Sequence, residues 1–174
     1  MDRYFESLDD LSIHYRGIII HHVIYLERLI EEIFLEYYIK DDNLSEAIDG
    51  VERKHEFIHT VIYKQNFNLM FKFHAVSHLI KKHCPELVKK YPDVLSTTEE
   101  LIEMRNDFAH RAFDKDLSDI KKQEIALVYP TTEKGKYKTE VHVMNPRKID
   151  EFIIKYLAVY EVLDIMADGL MHKA

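Results

Sequence analysis

Arg105, Asn106 and His110 stand in the order Arg-Asn-x-x-x-His. Together these side chains supply what cleavage of a phosphodiester requires without a metal. Arginine's planar guanidinium grips phosphate oxygens and offsets the charge that builds in the transition state. Histidine, with an unperturbed pKa near ~6.5, exchanges a proton with a ribose 2′-hydroxyl or with the leaving oxygen. Asn106 lies one helical turn before His110, where its amide can orient the imidazole or the substrate.

On a helix the run sorts into three arcs. Leu101, Met104, Phe108 and Ala112 form a core-facing stripe, while Glu100, Glu103, Asp107, Arg111 and Asp114 form a solvent face. Ile102, Asn106, Ala109 and Phe113 fill a third arc, mostly apolar, with Arg105 at one edge and His110 about 140° away at the other. Such an arc suits packing against another helix. If the partner is the same helix of a second copy, a two-fold axis brings two arginines and two histidines toward one cleft.

The order Arg105-Asn106-x-x-x-His110 resembles the motif of the HEPN superfamily (higher eukaryotes and prokaryotes nucleotide-binding domains). There an arginine, a polar residue and a histidine about one turn later lie in a late helix of a small helical bundle. The ordering of elements here is similar across most of the chain. Many members are dimeric, metal-independent endoribonucleases of toxin–antitoxin, abortive-infection and CRISPR-linked defence systems, and others are noncatalytic binding modules. The resemblance implies a homodimer through the motif helix and RNA cleavage to a 2′,3′-cyclic phosphate. It assigns His110 to proton transfer, Arg105 to the phosphate and Asn106 to positioning, with no cofactor. An antitoxin or regulatory protein is the partner it implies beyond a second copy and an RNA or nucleotide ligand. The first helix, running into Lys40-Asp41-Asp42, also resembles the mannitol operon repressor family. That likeness gives the alternative reading, a noncatalytic regulatory or interaction module.

Other residues compete for chemistry. His55-Glu56-Phe57-Ile58-His59 matches the His-Glu-x-x-His pattern of zinc proteases. Arg53 stands where those helices carry an uncharged residue, and no third ligand follows at a suitable distance. His74 and His78 are one turn apart, but a structural zinc wants four ligands. On a line with Phe67 and Phe71, they read as a half-buried packing face. Cys84 is the single cysteine, which excludes an internal disulfide. It reads as a buried small residue rather than a nucleophile.

The elements that must position these residues follow from periodicity. Ile19, Val23, Leu26, Ile30, Phe34 and Tyr37 predict one long helix from Leu11 to Lys40, with Glu27, Arg28, Glu31, Glu32 and Glu36 opposite and an Arg28–Glu32 pair one turn apart. Residues 45–64 read as a weakly periodic helix, and Asn66 to His83 as another. Pro85 and Pro92 bracket a short helix, Glu86 to Lys90. The motif helix is expected to begin at Ser96, Thr97 or Thr98 as N-cap and to run to about Phe113. Residues 124–129 and 137–143 then read as a hairpin with a five-to-seven-residue connection around Gly135. Asn145-Pro146 starts a final helix, in which Ile149, Phe152, Ile153, Tyr156, Tyr160 and Leu163 form the apolar face to about Gly169. The expected fold is all-α: a single domain over residues 1–174, a four- to five-helix HEPN-like bundle carrying one β-hairpin at about 124–143.

Composition agrees. Only 4 Gly and 4 Pro among 174 residues argues against a strand-and-turn architecture, and 47% apolar content excludes intrinsic disorder. The apolar run from Gly17 to Leu26 is broken by His21 and His22 and is too short to span a bilayer. With no signal-like N-terminus, the expectation is a soluble cytoplasmic protein without membrane contact. Net charge is −7, yet residues 52–91 carry 8 Lys/Arg against 3 Asp/Glu and five histidines. This basic middle segment reads either as a solvated helix face or as a surface for an anionic ligand. Nonspecific coating of duplex nucleic acid is disfavoured for so acidic a chain.

Overall fold

The computed structural model describes residues 4–39, 68–133 and 136–171. Among them the order is α1 (Leu8–Ile39), α2 (Leu69–His83), α3 (Pro85–Lys90), α4 (Val94–His110), β1 (Phe113–Asp119), a 3-10 turn (Ile120–Lys122), β2 (Glu124–Glu133), β3 (Lys136–Met144) and α5 (Pro146–Met171). The protein is thus mainly helical, with one small antiparallel sheet of order β1-β2-β3. The helix expected at 45–64, and with it His55 and His59, lies outside the described residues.

Two compact units emerge, one from Met1–Val23 with Glu103–Leu157 and one from Ile24–Ile102 with Ala158–Ala174. In the first, Leu11, Tyr15, Ile19, Phe108, Ile125, Leu127, Met144 and Phe152 are all buried. Ser7 starts α1: its carbonyl accepts from Leu11 N–H, its hydroxyl accepts from Asp9 N–H, and Asp9 and Asp10 suit the positive end of the helix. The β2–β3 pairing runs in one unbroken register from Ile125↔Met144 to Glu133↔Lys136, so the connection is shorter than the five to seven residues expected. Pro130 is tolerated inside β2. Ala126 and Val128 direct their N–H groups to Ser118 Oγ and Ala112 O, on the β1 side. By strand alternation, Pro130 lacks its N–H on that same side, past the end of β1.

β1 itself is absent from the sequence-based reading, because Phe-Asp-Lys-Asp-Leu-Ser-Asp is poor in strand-forming residues. It is an irregular strand. Phe113↔Leu127 and Asp114↔Ala126 pair, then the register shifts before Asp119↔Glu124. Within the shift, Asp114 Oδ1 takes the N–H groups of Asp116 and Leu117 at 2.9 and 3.2 Å. Asn145 starts α5 as its sequence implies, accepting Lys148 N–H on Oδ1 at 3.0 Å. Replacing Asn145 with alanine should lower stability by about 1 kcal/mol in chemical denaturation. A loss of only a few tenths would mean that Pro146 sets the helix start alone.

In the second unit, Leu26, Ile30, Phe34, Phe73, Val76, Ile80, Leu101, Ile102, Leu163 and Met166 are buried. Asn68 caps α2 by accepting Phe71 N–H, and Pro85 opens α3 directly after the Cys84 cap. Gly169 lies inside α5 where a Cβ would meet Leu87 Cδ1 at 3.0 Å, so glycine lets α3 lie close to this turn. Cys84 is buried, as expected.

Three further expectations fail. α4 begins at Val94 rather than after a Ser96–Thr98 cap, since Val94 and Leu95 are themselves buried. The hydroxyls bond back inside the helix instead, Ser96 Oγ to Asp93 O and Thr98 Oγ1 to Val94 O. The packing face of α2 is also not the Phe71–His74–His78 line, which is exposed, but Leu69, Phe73, Val76, Leu79 and Ile80. Arg28, expected to pair with Glu32, lies instead over the Tyr25 ring at 5.6 Å.

Candidate functional site

α4 carries Arg105, Asn106 and His110 in its last two turns and ends at His110, not at Phe113. The chain leaves the helix there because Ala112 and Phe113 join the sheet: Val128 N–H donates to Ala112 O, and Phe113 pairs with Leu127. Ala112, Phe113 and Asp114 therefore do not extend the three helical arcs.

Arg105 and Asn106 are both half-buried, and Arg105 Nη1 donates to Asn106 Oδ1 at 3.0 Å. That bond uses one of the five guanidinium N–H donors and occupies the amide oxygen. The amide nitrogen of Asn106 keeps its donors. His110 is exposed on the last helical residue and makes no hydrogen bond, ion pair or ring contact among the described residues. A fixed cation and an accessible imidazole thus stand on one short stretch, about 140° apart around the axis.

The helix exit is braced by groups the sequence-based reading assigned to solvent. Asp107 is half-buried and accepts the Tyr129 hydroxyl at 2.9 Å, with Arg111 Nε 3.6 Å from its other oxygen. The Arg111 guanidinium lies 4.5 Å from the centre of the Tyr129 ring, and the His142 ring centre is 4.4 Å from it. Arg16 Nη2 donates to Arg111 O at 2.8 Å, whereas its buried Nε has no partner among the described residues. Burial first, and then the Asp107 carboxylate, push the Tyr129 hydroxyl well above the ordinary phenol range, against the opposing pull of Arg111. This brace fixes the backbone immediately after His110 through contacts from α1 and β2. Its one local signal is the Asp107–Arg111 spacing.

Elsewhere in the first unit lies a cavity of about 500 Å³, lined by Phe5, Leu11, His14, Tyr15, Ile149 and Asp150 among others. One end is fixed by Gln123. Its side chain accepts Phe5 N–H at 3.0 Å and donates to Phe5 O at 2.9 Å, while its own carbonyl accepts the Tyr15 hydroxyl at 2.8 Å. Gln123 holds φ 55°, in the left-handed region. Its side chain could not be replaced there by glycine without losing both bonds to Phe5.

No group of three or more His, Cys, Asp or Glu suited to a metal ion occurs among the described residues. His74 faces Glu99 at 3.3 Å, and His78 is exposed. No described helix is long and apolar enough to cross a membrane. Comparison with known proteins found no family model, no curated protein and no solved structure that matches this chain.

Proposed function

We infer that the protein is a metal-independent endoribonuclease of the HEPN type, acting as a homodimer through α4. The observation that carries this reading is the end of α4, where a half-buried Arg105–Asn106 pair stands one turn before an exposed His110 on a braced helix terminus. One copy of the helix holds arginine and histidine too far apart in angle to converge on a single phosphate. A two-fold pairing of α4 supplies the convergence.

In this reaction His110 takes the proton of a ribose 2′-hydroxyl. The 2′-oxygen then attacks phosphorus, and the bond from phosphorus to the 5′-oxygen breaks. The products are a 2′,3′-cyclic phosphate and a 5′-hydroxyl, the leaving oxygen receiving its proton from the second histidine of the cleft or from water. Arg105 neutralises the non-bridging oxygens as charge develops. Asn106 holds Arg105 through its oxygen and offers its amide donors to substrate.

The decisive assay is cleavage of a mixed RNA in excess EDTA by the wild type and by His110→Ala. Cyclic-phosphate ends are expected, with a loss of roughly 100-fold or more in the variant, the scale of a missing proton-transfer group. Unchanged cleavage by the variant would overturn the assignment of His110. A folded wild-type dimer that cuts nothing would transfer the fold to the second reading, a noncatalytic regulatory or interaction module.

A further inference from the structure

The cavity of the first unit has a chemical bias set by the residues that line it. Leu11 and Ile149 are buried at its wall, and the rings of Phe5, His14 and Tyr15 line it beside them. The Phe5 and His14 ring centres are 4.7 Å apart, those of His14 and Tyr15 6.1 Å. At about 500 Å³ it has the size and the mainly apolar wall of a small-molecule site. Its hydrogen-bond donors are largely spent. The Tyr15 hydroxyl donates to Gln123 O, and the Gln123 amide nitrogen donates to both Phe5 O and Ile120 O. Phe5 N–H goes to Gln123 Oε1, and Pro146, which opens α5 at this wall, has no N–H. What is left accepts. Asp150 lines the cavity, is itself exposed, and makes no hydrogen bond or ion pair among the described residues. The His14 ring and the Tyr4 hydroxyl, each able to accept as well as donate, complete the polar lining.

We propose that this cavity binds a small organic cation, an arylalkyl amine whose ammonium pairs with Asp150 and whose ring lies among Phe5, His14 and Tyr15. Aromatic rings carry negative faces, so rings and a carboxylate together select a positive ligand with an apolar body. The field at this wall has the same sign. Burial, and then the negative charges of Asp150 and Glu124, raise the Tyr15 hydroxyl above its ordinary range. An anion, a nucleotide included, would meet the Asp150 carboxylate and find the Tyr15 and Gln123 donors already engaged. A bare metal ion is disfavoured as well, because Asp150 is the one carboxylate on the lining and hard cations require several oxygen ligands. An uncharged apolar molecule would fill the walls and leave Asp150 unused. The cavity lies wholly within the first unit and its lining does not include Arg105, Asn106 or His110, so the proposal goes beyond the cleavage reading and is tested apart from it.

The test is fluorine NMR of the full chain with para-fluorophenethylamine, beside para-fluorophenethyl alcohol and para-fluorophenylacetate. The three probes share a ring and differ in charge. The buffer is held at about pH 8, above the ordinary imidazole range and below that of an alkyl amine. The amine is expected to bind about ten-fold more tightly than the alcohol, and the carboxylate more weakly than either. Asp150→Asn should weaken the amine about five-fold and leave the alcohol unchanged, a split that a merely structural role of Asp150 would not produce. Ile153→Trp, which fills the cavity, should abolish binding of both. Far-UV circular dichroism checks that each variant is folded. Where Ile153→Trp is not, Ile18→Trp replaces it, and the Asp150→Asn comparison stands by itself. No binding of the amine up to about 5 mM overturns the proposal. So does equal affinity for all three probes, or an amine affinity unchanged in Asp150→Asn.

Discussion

Replacing Lys72 with methionine is expected to lower the unfolding free energy by about 3–5 kcal/mol, the scale of removing one partner from a buried ionic group. The Lys72 side chain is 5% exposed, and its ammonium donates to Glu27 Oε1 at 3.1 Å and to Glu31 Oε1. Burial works against the charged form of Lys72. Its hydrogen bonds to Glu31 and Glu27, together with their negative charges, outweigh it, so the pKa stands above the usual 10.5. The two carboxylates sit four residues apart on α1 and are half-buried, with side chains 27% and 17% exposed. Without the ammonium they repel each other and remain desolvated. Equilibrium urea denaturation measures the loss. The triple variant Glu27→Gln/Glu31→Gln/Lys72→Met should recover most of it, because it removes the stranded charges together. A loss below about 1 kcal/mol in Lys72→Met would show that the triad behaves as a solvated surface pair.

The second large effect is alkaline unfolding. Burial, followed by the charges of Asp150 and Glu124, pushes the Tyr15 hydroxyl from 10.0 up to about 12. The Tyr129 hydroxyl is pushed higher still, and Lys72 lies above its ordinary value. In all three cases the folded chain keeps a proton that the unfolded chain has already released. Below about pH 10 both states hold these protons and stability is level. Above it the unfolded state deprotonates first, and stability falls until the folded pKa is passed. For Tyr15 alone the loss is about 2 kcal/mol at pH 12 and approaches its limit of roughly 3 kcal/mol only above that. Urea midpoints measured from about pH 8 upward should be level and then drop steeply beyond about pH 10. Tyr15→Phe and Tyr129→Phe should each flatten that drop, whatever they do to stability at neutral pH. A midpoint unchanged to about pH 11.5 would contradict the protonated, buried state of these phenols.

Local patterning carried the sequence reading a long way. The apolar stripe of α1 at Ile19, Val23, Leu26, Ile30 and Phe34 is buried as its spacing demands, and Asn145-Pro146 starts α5. The pairing of β2 with β3 follows from their β-branched and aromatic content. What failed depends on partners remote in the chain. β1 forms from an Asp-rich segment because β2 offers it an unpaired edge. α2 turns its phenylalanine–histidine line outward because Leu69, Phe73, Val76 and Ile80 make a better apolar face. Lys72 looks like any surface lysine until Glu27 and Glu31, more than 40 residues earlier, are placed beside it. At the candidate site, Arg105, Asn106 and His110 were legible as residue types at a spacing. The role of Asp107 was not, since its partner Tyr129 lies 22 residues away on a strand.

The ties within the first unit have a consequence for how the chain is made. Tyr15 and Phe5 are held by Gln123, Arg16 by the carbonyl of Arg111 and Asp9 by Lys115, over separations of 95 to 118 residues. A ribosome adds roughly 5–20 residues per second, so on the order of ten seconds separates the synthesis of these partners. During that interval the N-terminal half of α1 has none of these ties, and its apolar stripe from Leu11 to Val23 is nascent-chain surface open to chaperones. All of these partners lie between Arg111 and Gln123, so a chain stalled before Arg111 leaves that half of α1 without any of them.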